Sequence, residues 1–199
     1  MSSRAKKSTD SAEAHEDAIP EKTTSKLRKL VIQNFRCIGD FPVSIDLDDI
    51  VVLVGPNNAG KSTVLRAYQV ITESSAPKLT IEDFHEGNTS IPASVELYTS
   101  VGDDLPGNRW VQKIDGESIV RERWIWSTPA TPGKRQGWDV VKSDWAEDGV
   151  PWGAPNVAKS RRPTPHRIEA FANPSEQIKA VTDMLLKVLQ TRVKGLAVH

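Results

Sequence analysis

The sequence predicts an α/β fold with a mixed sheet, and three observations carry the prediction. The run Gly55-Pro56-Asn57-Asn58-Ala59-Gly60-Lys61-Ser62-Thr63 fits the pattern G-x-x-x-x-G-K-[ST]. An apolar, β-branched run at 49–54 precedes it and reads as a buried strand. Residues 63–71 follow with helix formers and apolar side chains at Val64, Ala67, Tyr68 and Ile71. Strand, glycine loop and helix, in that order, aim backbone N–H groups and the positive end of a helix dipole at a phosphate chain. Gly55 and Gly60 allow backbone angles and close approach that a Cβ would obstruct. Lys61 offers a charge to the β- and γ-phosphates, and the Ser62 hydroxyl is the expected Mg²⁺ ligand.

The other elements follow in chain order. Residues 1–25 carry almost no large apolar side chains and predict a disordered tail. From Lys26 a strand begins, with Leu30 and Ile32 on one face and Leu27 and Val31 on the other. A turn at 34–40 leads into 43–47, whose alternation predicts a half-buried strand. Two antiparallel strands therefore precede the glycine loop. Residues 80–85 form a connector, and 93–98 alternates as a strand. The runs 109–114 and 118–126 predict a hairpin about Asp115-Gly116, and 138–141 a further strand.

All six tryptophans lie between Trp110 and Trp152. Such a concentration fits a base-stacking surface or a packed sheet. The period-two spacing of Trp124 and Trp126 favours the sheet. Residues 149–165 read as an irregular loop whose basic residues Lys159, Arg161 and Arg162, with Arg167 beyond, either lie in solvent or touch phosphates. The last element is a helix opened by Asn173, Pro174 and Glu176, with Gly195 as its stop. Its stripe of Ile178, Val181, Leu185, Val188 and Leu189 needs a covering surface. Self-association, or a partner, is the expected consequence.

Composition narrows the classes. The formal net charge is zero, so no overall pull toward nucleic acid or anionic membranes is implied. The single Cys37 excludes an internal disulfide and a cysteine-based zinc site, and fits a reducing cytoplasm. No apolar run approaches membrane-spanning length, and the N-terminus lacks a signal peptide's apolar core.

The opening Leu30-Val31-Ile32-Gln33-Asn34-Phe35-Arg36-Cys37-Ile38, a second strand, and then 51–63 together resemble the N-terminal half of ABC-type ATPase heads of the RecF, SMC and OLD kind. The match looks closest to OLD-family ATP-dependent endonucleases and their anti-phage relatives. Residues 27–71 carry most of it. Glu82-Asp83-Phe84-His85 and the stretch 162–171 look similar too. The resemblance implies a P-loop NTPase of the ABC-head type, with 26–199 as its N-terminal portion and an antiparallel side sheet beside the nucleotide. It implies ATP and Mg²⁺ as ligands, DNA as a partner of the full-length family, and roles in repair or phage defence. It also implies that Asn34, Phe35 and Arg36 approach the adenine, ribose or phosphates. Core packing for Phe35 and a surface charge for Arg36 are the alternatives.

The departures matter as much. After residue 71 no apolar run ends in Asp-Glu, as a Walker B strand does. No Leu-Ser-Gly-Gly-like signature, switch histidine or Toprim carboxylate cluster follows, and Gln136 is a weak Q-loop candidate. The expectation is an ATP-binding first lobe, incomplete for hydrolysis, either truncated or completed by another polypeptide. A small self-contained phosphotransferase and a non-hydrolysing nucleotide-binding interaction module are the alternatives.

Overall fold

The computed structural model describes residues 25–57, 59–103, 105–165 and 173–196. The expected N-terminal tail lies outside them. The chain is built on one antiparallel sheet. Its strands are β1 (Lys26–Gln33), β2 (Val43–Asp46), β3 (Ala93–Ser100), β4 (Val111–Ile114), β5 (Glu117–Trp126), β6 (Lys134–Asp139) and β7 (Asp144–Trp145). They run in the order β2-β1-β3-β5-β6-β7, with β4 also paired to β5. The helices are α1 (Lys61–Glu73), α2 (Pro155–Ser160) and α3 (Pro174–Leu196).

The β4–β5 hairpin turns at Asp115 and Gly116, both at positive φ, as the Asp-Gly pair predicts. In β1 the alternation predicted for Leu27 fails. A register shift between Leu27 and Lys29 inserts one residue, so Leu27 packs with the core cluster beside Leu30 and Ile32. β6 begins earlier than expected and ends at Asp139, leaving Val141 exposed.

One face of the sheet carries the core. Leu30 and Ile32, Val95 and Leu97, and Trp124 and Trp126 meet Ala67, Val70 and Ile71 of α1 and the connector residues Leu79 and Phe84. The Trp126 indole N–H donates to the Pro77 carbonyl at 2.8 Å. These two tryptophans pack as the strand spacing predicted. The opposite face holds a ladder of cations and rings instead. Lys29 and Arg121 lie over Tyr98, Arg121 lies 4.1 Å from the Trp138 ring centroid, and Arg123 lies 4.3 Å from that of Trp145.

Two expectations need correction. The run 49–54 forms no strand: Ile50 and Val54 are each 85% exposed, and it pairs with no neighbour among the described residues. A strand exists only where another chain segment takes its N–H and C=O groups. The segment 149–165 is not wholly irregular, because it contains α2. Nor is all of its basic character solvated. Arg162, with its side chain only 4% exposed, donates to both carboxylate oxygens of buried Glu122 at 2.7 and 2.8 Å. Arg135 bonds the same carboxylate. Arg167 lies outside the described residues.

α3 starts where predicted. The Asn173 side chain accepts the Ser175 N–H at 3.0 Å, and Pro174 takes the first helical position. The helix runs one residue past Gly195. Its apolar stripe is open: Ile178 is 68% exposed and Leu185 55%. No helix among the described residues is long and apolar enough to cross a membrane.

Candidate phosphate-binding site

The loop 55–63 leads straight into α1. Gly60 is the residue before the helix, held in the left-handed region at φ 95°, and no side chain caps the helix N–H groups there. Those first N–H groups have no intrahelical partner and form an anion site by construction. A non-glycine at position 60 is strained by its backbone angle, and its Cβ would stand 3.3 Å from the Cys37 sulfur. Gly55 is also at positive φ, and a Cβ on it would lie 3.3 Å from that of Ala59.

Lys61 folds back over the loop. Its ammonium donates to the carbonyls of Gly55 at 2.8 Å and Pro56 at 2.6 Å. A phosphate oxygen offers the same ammonium a charged acceptor, which makes a stronger hydrogen bond than a carbonyl. Ser62 is exposed in the first turn of α1, whereas Thr63 is buried. Asn57 and Ala59 are exposed, and Asn58 lies outside the described residues. The glycine backbone, the uncapped helix N-terminus and the long-stemmed lysine fit a triphosphate, and the Ser62 hydroxyl suits Mg²⁺.

The turn after β1 lies against this site. The Cys37 sulfur is 2.9 Å from the Thr63 hydroxyl. The Asn34 amide donates to the carbonyls of Asn88 and Ile91, at 2.8 and 2.5 Å, and its residue is fully buried. Phe35 is fully buried in the core and pairs through its backbone with Phe84. Both side chains are therefore committed inside the protein, contrary to the expectation that they approach a nucleotide. Of the two readings of Phe35, core packing is the one realised.

Arg36 is different. Its guanidinium Nε donates to Asp83 Oδ1 at 2.9 Å, its N–H to the Asp83 carbonyl, and its side chain is 42% exposed. His85 Nδ1–H donates to the Arg36 carbonyl at 2.7 Å. The connector 82–85 and the turn 34–37, far apart in sequence, thus form one unit beside α1. Asp83 stands out in the sequence only as part of the connector 82–85, with no role beside Arg36. Its signal was the Thr80-x-x-Asp83 spacing of a capping box, which the structure forms.

The far end of α1 is tied down as well. The Tyr68 hydroxyl donates to the Pro163 carbonyl at 2.5 Å. Burial pushes the Tyr68 phenol up to about 12. Gln136, the weak Q-loop candidate, is buried on β6, where it accepts from Arg123 and donates to Glu147. It faces away from the loop's chemistry and holds the sheet together.

Residues 26–115 match the AAA ATPase domain family. An OLD nuclease from Thermus scotoductus is 40% identical over 53 residues, which are 27% of this chain and 10% of that protein. The matched part thus spans about a tenth of this relative's length. An SMC ATPase structure from work on ATP-driven dimerization and DNA-stimulated activation is 17% identical, with a TM-score of 0.44, over 79% of this chain and 98% of that one. The Pyrococcus furiosus Smc head domain, with an extended coiled coil and bound to the C-terminal domain of ScpA, is 18% identical, with a TM-score of 0.39, over 62% of this chain and 30% of that one. Residues 26–115 are thus the stretch that matches the AAA ATPase domain family, and the glycine loop at the head of α1 lies within it.

Proposed function

We propose that this chain holds ATP with Mg²⁺ at 55–63, as the nucleotide-binding lobe of an OLD-like ATPase that acts on DNA in repair or phage defence. The observation that carries the reading is the uncapped start of α1, with Gly60 in the left-handed region and the Lys61 ammonium parked on loop carbonyls. On binding, Lys61 exchanges those carbonyls for phosphate oxygens, the first N–H groups of α1 face the same oxygens, and Ser62 offers its hydroxyl to the metal. When bound, Mg²⁺ neutralises phosphate charge. Arg36, part-exposed and paired with Asp83, is the member of the 34–36 turn whose side chain reaches solvent, where it can meet a nucleotide.

Turnover needs more than this lobe supplies. Asp83, which the turn brings close, is spent on Arg36 and on the Thr80 N–H. We therefore infer that the chain binds ATP without appreciable hydrolysis, and that a DNA-processing activity belongs to a larger assembly.

Calorimetry on the wild type and Lys61→Ala tests the reading. Loss of a charge-assisted hydrogen bond should weaken ATP–Mg²⁺ binding by about 1–3 kcal/mol. Equal affinities would remove the assignment of the loop.

A further inference from the structure

Arg36 is held more firmly than a surface charge requires. Its backbone sits in the left-handed region at φ 54°, which a non-glycine keeps only where its surroundings over-determine it. The Arg36 N–H donates to the Asp83 carbonyl at 2.8 Å, and its Nε donates to Asp83 Oδ1 at 2.9 Å. Its carbonyl accepts from His85 Nδ1 at 2.7 Å. Asp83 is fixed in turn: its side chain is nearly buried, and Oδ2 accepts the Thr80 N–H at 3.1 Å. The terminal amino groups of Arg36 have no hydrogen-bond partner among the described residues. Cys37 follows, with consecutive Cα atoms about 3.8 Å apart. Its sulfur lies 2.9 Å from the Thr63 hydroxyl and 3.3 Å from the place of a Cβ on Gly60. The Arg36 side chain therefore starts one residue away from contact with the head of α1.

We propose that Asp83 is a positioning residue of the loop 55–63, holding the Arg36 guanidinium by Nε so that its terminal amino groups stay available to a phosphate at the head of α1. The proposal rests on the nucleotide reading given above. A carboxylate beside a triphosphate repels it, so any benefit of Asp83 to binding runs through Arg36. Without that anchor, a long side chain must be ordered at each binding event, which costs affinity. Asp83 gives a separate oxygen to each of two donors, Arg36 Nε and the Thr80 N–H. An amide has one oxygen and no charge, so Asp83→Asn either releases Arg36 or keeps it by a weaker, neutral acceptor.

A double-mutant cycle read by calorimetry, with ATP–Mg²⁺ as the probe, tests this. Asp83→Asn should raise the dissociation constant about two- to tenfold, the cost of ordering one long side chain. In an Arg36→Ala background the same change should not raise it, because only a repelling carboxylate is then removed. A rise of equal size in both backgrounds, or none in the first, would overturn the proposal. If Asp83→Asn does not fold, Arg36→Lys carries the test, since it keeps the charge pair and discards the planar fork. Its affinity should fall about as far as that of Arg36→Ala, and wild-type affinity would overturn the proposal. Lys61→Ala separates this from the loop assignment. Weakened binding there, with wild-type binding in Asp83→Asn, refutes the positioning role alone, whereas a wild type that binds no ATP refutes both.

Discussion

Replacing Glu122 by Gln isolates the energetics of the buried ion cluster. The carboxylate is fully buried and accepts from two guanidinium groups. Gln keeps the shape and removes the charge. Arg135 retains its bonds to the Pro151 and Gly153 carbonyls. The Arg162 guanidinium has only Glu122 among its described hydrogen-bond partners, with the Trp124 ring 4.8 Å away. Both arginine side chains are nearly dry, at 11% and 4% exposure. Breaking a buried pair by removing one partner costs about 3–5 kcal/mol. With a urea m-value of about 2 kcal/mol/M, the midpoint should fall by about 1.5–2.5 M. Circular dichroism in urea measures it. Adding Arg162→Met to Glu122→Gln should recover part of the loss, because one stranded charge is gone and an apolar chain fills its place. A Glu122→Gln midpoint within about 0.3 M of wild type, less than 1 kcal/mol at that slope, would show that the cluster is not a net stabiliser.

Further expectations concern packing and pH. Gly133→Ala would place a Cβ 2.5 Å from the Trp126 indole, whose N–H is fixed on the Pro77 carbonyl that Gly133 also bonds. It should destabilise by about 1–3 kcal/mol, and an unchanged melting temperature would contradict the packing described. The Asp139 carboxyl is held below its ordinary range, first by the Lys142 N–H and then by the Arg109 guanidinium. A depressed carboxylate stabilises above its unfolded pKa, near 4, and that share is lost as pH falls through its folded value. Asp139→Asn should therefore flatten the acid limb of a stability–pH curve; an identical limb would refute this. Tyr68 and Tyr98, the only tyrosines, are both pushed up to about 12 by burial. Raised phenols stabilise fully below pH 10 and lose that share as pH rises toward 12. Phenolate absorbance should stay flat to pH 11 and rise with unfolding, whereas a midpoint near 10 would mean that both rings are open.

Local patterns were readable in the sequence where they depended on neighbours in the chain. The loop 55–63, the Asp115-Gly116 hairpin and the Asn173-Pro174 helix start are written in adjacent residues, and each forms where expected. The failures are all non-local. Residues 49–54 have a strand's composition, but strand formation depends on a partner, which no spacing encodes. Arg162 looked solvated because it follows a Pro- and Gly-rich stretch, yet Glu122, forty positions earlier, draws it inside. Phe35 sits in a turn whose neighbours Arg36 and Cys37 are exposed, and it is buried among core residues from distant segments, Phe84 among them. At the candidate site the glycine loop and the helix after it were legible, whereas the Arg36–Asp83 brace was not, since it joins two segments through a long-range contact.

The placement of the tryptophans has an optical consequence. All six lie between positions 110 and 152, and the described contacts of Trp124, Trp126, Trp138 and Trp145 are with the sheet, α1 and the connector rather than with the loop 55–63. Trp124 and Trp126 are sealed in the core, while Trp138 and Trp145 meet edge to face at 5.4 Å on the opposite side. Intrinsic emission from these four therefore reports chiefly the packing of the sheet. A flat tryptophan titration on adding nucleotide would show that the packing of the sheet is unchanged, which is a different question from occupancy of the loop. A fluorophore carried on the Cys37 thiol, 2.9 Å from Thr63, would put the signal where the ligand arrives.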